Sequence, residues 1–401
     1  MKGVAGTMRR NASFVMVLAG LLVLSMYCKG FAELRLGNLK LYPEIGLEEM
    51  YRSNIYQTEW NRKSDFITSI LPGIQGKYVF GGKHSLDLGY SGAGKYYSHY
   101  SENNYWNNTA WGNLNLRFNG GLDLSAGHRY INNWLERSAF INYQRHYIEN
   151  VTGAMAAYRF ADRWKAQLNF VRDDYSMSSR RDSIYSYLSN LYGGALFYRF
   201  TPRTSGLMEY QYITKWYDDY DIYDSKVNQV FVGVNFDPEG KLAGKAKVGY
   251  GWKEFDKSLP GRSSKSNTWV AEANLVQNFT KYTSLGLSAL RAFQDDDDYS
   301  NTPLYRTNAA LTLQHYFTGK IGGTAMARYE NADYQKETVE PITGIFKKRE
   351  DNAYSAGIGA FYNIQKYLKA RLEYNYIKRD SNFEGYSFDE NRVMFRIVYS
   401  P

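Results

Sequence analysis

A two-residue alternation, interrupted by a short polar turn and then resumed, runs through this chain from end to end. The stretch LYGGALFYRFTPRTSGLMEYQYI, Leu191 to Ile213, shows it. One set of alternate residues from Tyr192 to Phe200 is Tyr, Gly, Leu, Tyr and Phe. The turn Thr201 to Thr204 follows, and then Met208, Tyr210 and Tyr212 alternate with Glu209 and Gln211. A period of two belongs to a β-strand whose faces meet different surroundings, and the turn makes the pair a hairpin. Similar segments run into Phe80, Phe118, Phe160, Phe236, Phe279 and Phe317, each before a short polar turn, with Tyr362 in the same part once more. These aromatics lie 36 to 45 residues apart, a pseudo-repeat without close sequence identity.

Each repeat holds two strands. Eight short turns join sixteen; one more strand precedes them around Lys40–Met50, and one ends the chain around Arg392–Tyr399. The expected count is eighteen. About 20 residues per strand and connection suits strands of roughly 10 residues tilted across a bilayer. A propeller blade of this period needs four strands, and there is room for two. A soluble sandwich would place Val, Ile and Leu on one face. Here one face carries Arg, Lys, Asn, Gln and Gly and the other Tyr, Ala and Leu, which suits a barrel with lipid outside and water inside. The 38 Tyr, 21 Phe and 8 Trp then have a cause: amphipathic rings settle at the membrane interface, here beside the short turns. The expected fold class is therefore all-β, a closed antiparallel transmembrane barrel of about eighteen strands in up-and-down order. Short turns are expected in the periplasm together with both termini. The last strand, RVMFRIVYSP, puts Val393, Phe395, Ile397 and Tyr399 on one face, the pattern barrel-assembly machinery reads, with Tyr399 two residues in where a terminal Phe or Trp is usual.

The first 32 residues read as a cleaved signal peptide: a basic start, MKGVAGTMRR, an apolar run, and Gly30-Phe31-Ala32 at the cleavage site. A lipoprotein anchored at Cys28 is disfavoured, because Tyr27 stands where a small residue belongs. The remaining residues, 33–401, form one outer-membrane barrel domain without cysteine. They can hold neither a disulfide nor a thiolate metal site, and no haem-attachment motif exists. The formal charge is +9, of which Lys2, Arg9, Arg10 and Lys29 belong to the leader, so the domain is only mildly basic and nothing points to nucleic acid. No cofactor or catalytic constellation is expected. His84, His99, His128, His146 and His315 show no metal-ligand spacing, and no serine elbow occurs. The runs Asp295–Asp298 and Asp218–Asp224 offer carboxylates to a cation or are solvated loops. Basic pairs such as Arg62-Lys63 and Arg180-Arg181 suit lipopolysaccharide phosphates or plain solvation.

The lumen is the informative surface. If the turn aromatics face lipid, Arg117, Arg159 and Arg199 face inward at one depth, an arc of charge near the periplasmic mouth. Lys165, Lys245, Lys247, Arg371, Arg392 and Arg396 share that parity, as do Glu44, Glu48, Asp87, Asp123, Glu209, Glu272 and Glu373. A ladder of internal ion pairs and a binding track are both open. Trp111, Phe197 and Phe231 are candidate stacking faces.

The opening residues Leu41 to Phe80 add a resemblance. Pro43 in the first strand, the segment Tyr51–Ile55, Ser64-Asp65 and Pro72-Gly73 in the second strand resemble the beginning of the beta-barrel porin family called type 2. Members look like outer-membrane barrels encoded with exopolysaccharide synthesis and export machinery. The resemblance implies a secretion channel for an exopolysaccharide, with a polysaccharide substrate and a periplasmic polysaccharide export protein as partners beside membrane lipid and lipopolysaccharide. A passive porin for small solutes and a structural sleeve for a partner are the alternatives.

Overall fold

The computed structural model describes residues 34–138, 141–257, 263–295 and 303–401. The expected signal peptide, Asp296–Asp298 and parts of the loops expected at Lys257–Asn267 and Asp295–Pro303 lie outside them. A three-residue strand, β1 (Leu34–Leu36), turns at Gly37 onto the start of β2 (Leu39–Arg52). Gly37 has φ +62°, a left-handed conformation that glycine adopts without steric cost. The wall follows in chain order: β3 (Asp65–Phe80), β4 (His84–Tyr97), β5 (Tyr105–Arg117), β6 (Leu122–Leu135), β7 (Arg145–Phe160), β8 (Trp164–Met177) and β9 (Tyr187–Thr201). It continues through β10 (Thr204–Tyr217), β11 (Ser225–Phe236), β12 (Leu242–Phe255), β13 (Lys265–Asn278), β14 (Thr283–Asp295) and β15 (Pro303–Tyr316). It ends with β16 (Ile321–Val339), β17 (Phe346–Gln365), β18 (Leu368–Ser381) and β19 (Phe388–Tyr399). Each strand pairs antiparallel with the next, and β19 pairs with β2 from Arg392↔Arg52 to Tyr399↔Ile45. Strands β2 to β19 thus close an up-and-down barrel of eighteen.

The strands have 12 to 20 residues, longer than expected. About 10 residues cross the hydrocarbon; the remainder continue the ladder beyond it, most of all in β16 and β17. The final aromatic of the repeat is also displaced. β17 runs past Tyr362 to Gln365, and the turn falls at Lys366-Tyr367 after a register shift.

Outward-facing aromatics form two belts, where the sequence pointed to one. At the short-turn end Tyr158, Phe160, Trp164, Tyr198 and Phe200 make a continuous run of rings, with neighbouring centroids 4.8 to 6.4 Å apart. At the long-loop end Tyr96, Trp216, Trp252 and Trp269 are exposed on the same outer face. A bilayer has two interfaces, and the longer strands reach both.

Two hairpin ends leave the wall. The β5–β6 ladder stops at Asn108↔Asn132, although β6 and β7 stay paired to Leu135↔Arg145. The β13–β14 ladder stops at Ala271↔Arg291, although β14 and β15 stay paired to Asp295↔Pro303. Beyond these points the former outer face of β14 lies on the inner wall. Phe293 rests over Gly251, where an added Cβ would sit 2.6 Å from the ring. Across the same contact, the Tyr305 and Ser266 hydroxyls are 2.6 Å apart and Arg291 donates to Thr268 at 3.3 Å. Both hairpin ends fold into the barrel.

Candidate functional site

Alternation fixes which side chains meet in the lumen, and ion pairs that skip strands prove the direction. Lys247 on β12 meets Glu209 on β10 at 3.0 Å and Glu272 on β13 at 3.0 Å, with its side chain 1% exposed. Lys245 lies 3.6 Å from Glu272. Arg396 donates to Glu48 across the closing seam at 2.7 Å. Arg371 pairs with Glu373, and Arg392 with Glu390 at 2.7 Å. Arg159 reaches Asp123 at 3.1 Å, while the Arg199 guanidinium donates to the Asp162 carbonyl. Arg117 stands opposite Asp123 in the β5–β6 ladder; its backbone N–H donates to His84 Nδ1 at 3.1 Å. Most inward charge is thus internally compensated. Lys165 differs: among the described residues it meets no carboxylate, only the Phe197 ring at 3.9 Å and Gln167 Oε1 at 3.5 Å.

The inward aromatics are not open platforms. Lys165 caps Phe197, Lys247 lies 4.2 Å over Phe231, and Trp111 lies against Gly89, where an added Cβ would meet its ring at 2.3 Å. The Phe197 and Phe231 rings, each with an ammonium over its face, offer no face to a passing sugar, and Trp111 is held flat against the wall.

At the long-loop end each folded-in hairpin ends in a carboxylate held by two cations and a phenol. Glu136 takes Arg52, Lys95 at 2.9 Å and Tyr105 Oη at 2.7 Å. Asp295 takes Lys253 at 2.6 Å, Lys215 at 3.2 Å and Tyr217 Oη at 3.0 Å. The wall positions joined this way are four strands apart, roughly 19 Å at normal strand spacing, farther than Lys and Asp side chains together span. The hairpin ends supply the missing distance, and they narrow the lumen. Burial alone would raise the Glu136 carboxyl, but Arg52 and Lys95 outweigh it and hold the group well below the usual carboxylate range. Beside it, Ile55, Ile67, Tyr97 and Tyr105 form an apolar cluster.

Sequence reasoning missed Arg52, Lys95, Glu136 and Glu390, because a contact between strands far apart in the chain has no periodic signal. Asp295, expected in a solvated or cation-binding acidic loop, is instead 8% exposed and neutralised by lysines. No group of residues able to hold a metal occurs among the described residues. The opening motif has a structural use. The Asp65 carboxylate accepts from the backbone N–H of Phe66, His99 and Tyr100, which fastens the loop after β4. Asn54, fully buried, donates to the carbonyls of Thr58 and Asp389 and accepts from the Thr58 N–H. Of the basic pairs, Arg62 is bound to Asp389 at 2.6 Å and Arg181 lies 4.2 Å over the Tyr143 ring.

Toward the short turns the lumen widens to a cavity of about 770 Å³ bordered by β8, β9 and β11 to β15.

A family model described as Putative beta-barrel porin 2 matches residues 32–400. No curated protein matches the chain. Among solved structures, Pseudomonas aeruginosa OpdK with vanillate is 11% identical, covers 90% of this chain and 99% of its own, and has a TM-score of 0.49. OccAB4 of Acinetobacter baumannii is 13% identical over 90% and 98%, with a TM-score of 0.48. A BenF-like porin from Pseudomonas fluorescens Pf-5 is 12% identical over 90% and 99%, with a TM-score of 0.47. The expectation of an exopolysaccharide channel, with its polysaccharide substrate and export-protein partner, is corrected. The solved structures named above include a BenF-like porin and OpdK with vanillate. The covered aromatics and the lumen-crossing ion pairs oppose a polymer track on physical grounds.

Proposed function

The chain belongs to the Putative beta-barrel porin 2 family, an outer-membrane β-barrel family, and from that premise we propose that it is a passive channel for small solutes. It is not an enzyme. The observation that carries the reading is the division of the lumen. Eighteen strands leave an aqueous interior, but ion pairs between non-adjacent strands constrict it at the loop end, as at Lys215 and Lys253 with Asp295. Solutes pass such a constriction by many weak polar contacts along a charged wall; a bulky polymer does not. Purified barrel in liposomes should produce swelling with mono- and disaccharides and with small organic ions, and none with long oligosaccharides. Absence of swelling with any solute refutes the reading.

The same proposal places the long loops outside the cell and the short turns, with both ends of the barrel, in the periplasm, and takes Glu33 as the mature N-terminus. Protease added to intact cells should cut within Thr338–Lys348 and spare the turns after Phe160 and Phe200. Cleavage at those turns refutes the orientation.

A further inference from the structure

The cavity in the short-turn half of the lumen carries a chemical signature of its own. Its lining includes Lys165, Lys245, Gln167, Asn235, Asn274 and Thr312. Lys245 shares Glu272 with Lys247, at 3.6 and 3.0 Å, so one carboxylate serves two ammonium groups. Lys165 meets no carboxylate among the described residues and is held only by a ring face and an amide oxygen. The cavity is therefore electropositive, with its excess charge on Lys165. Around that charge stand amides, each both donor and acceptor, and the Ser288 and Thr312 hydroxyls. Such groups pair with hydroxyls. A flat aromatic body finds no stacking surface, since Phe197 is already covered by Lys165. The volume, about 770 Å³, holds a six-carbon molecule with part of its hydration.

We propose that this cavity is a subsite for a small hydroxylated carboxylate of the sugar-acid kind. The Lys165 ammonium takes the carboxylate, Lys245 supports it, and Gln167, Asn235 and Asn274 take the hydroxyls. The inference deepens the channel reading by naming its solute class.

Binding of D-gluconate, D-glucose and benzoate to the folded barrel in detergent is measured by ligand-observed saturation-transfer NMR. Gluconate should bind more tightly than either control. Lys165→Gln should weaken gluconate about tenfold or more and leave glucose unchanged, whereas Lys165→Arg should stay near the parent. Heat-modifiable gel migration confirms that each variant is folded; if Lys165→Gln does not assemble, Lys245→Gln replaces it, with a smaller loss expected. Gluconate binding no tighter than glucose, or indifferent to these substitutions, overturns the proposal. Benzoate binding as tight as gluconate overturns the hydroxyl part. Liposome swelling separates the two readings: a barrel that passes glucose yet binds no gluconate keeps the channel and loses the subsite. One that passes nothing loses the channel whatever it binds.

Discussion

Asp295→Asn tests the folded-in end of β14 most directly. The substitution keeps the side chain's size and removes its charge. Lys253, whose side chain is 4% exposed, and Lys215 then both lose the Asp295 charge. Removing one partner of a buried pair costs about 3–5 kcal/mol. Lys215 keeps the rings of Tyr187 and Tyr217, at 3.8 and 4.8 Å, which places the cost near the lower end, about 3 kcal/mol. The wall does not depend on these contacts, because the β13–β14 ladder has already ended at Arg291. The loss therefore falls on the local equilibrium between docked and undocked hairpin. At 1.4 kcal/mol per decade it raises the undocked population roughly a hundredfold. Hydrogen exchange read by mass spectrometry should show amides near Arg291 to Asp295 exchanging faster by about that factor, with the β10–β11 ladder unchanged. A folded Asp295→Asn barrel with unaltered exchange in this segment would refute the assignment of Asp295 as the hairpin's anchor.

Protection near Glu136 should be level from pH 7.5 to 5. Its folded pKa lies below the ordinary glutamate value, so the stabilisation is present above that value and is lost as pH falls further, which exchange at Leu135 to Arg137 would report. Gly89→Val drives a side chain into the Trp111 ring and should lower stability by about 1–3 kcal/mol, seen as heat-modified migration at lower temperature. Arg117, Arg159 and Arg199 all replaced by Gln should reduce anion preference in single-channel reversal potentials while assembly stays intact; unchanged selectivity would make the arc architectural. Glu209→Gln should be milder than Asp295→Asn, about 1–2 kcal/mol, because Lys247 keeps Glu272 at 3.0 Å.

How much of this was legible in the sequence follows from the range of each interaction. Alternation is local, so strand order, closure and the inward parity of Arg117, Lys165 or Glu209 could be read two residues at a time. The aromatic before each turn marked the interface for the same reason, and failed at Tyr362 because a register shift past Asn363 delays the turn. Hairpins that abandon the wall leave no such trace. Leu135 and Phe293 continue the same alternation whether their strands stay in the sheet or fold across it. Asp295 reads as the start of an acidic loop until Lys215 and Lys253, 80 and 42 residues earlier, are brought beside it. Alternation also turns Trp111 and Phe231 inward, but the residues they pack against, Gly89 and Lys247, lie on neighbouring strands.

The seam between β19 and β2 joins residues some 340 positions apart, against about 20 for a neighbouring pair of strands. Closing so long a loop costs roughly 2.5 kcal/mol more chain entropy than closing one hairpin, and nothing is recovered until both edges meet. Assembly therefore passes through an open sheet with two unpaired edges, each able to capture a foreign strand. Arg52 ties this last event to another. On one side it holds Glu390 across the seam, and on the other Glu136 in the folded-in hairpin. Zipping the barrel and narrowing its lumen thus become one cooperative step, and an unfinished barrel lacks its constriction as well as its wall.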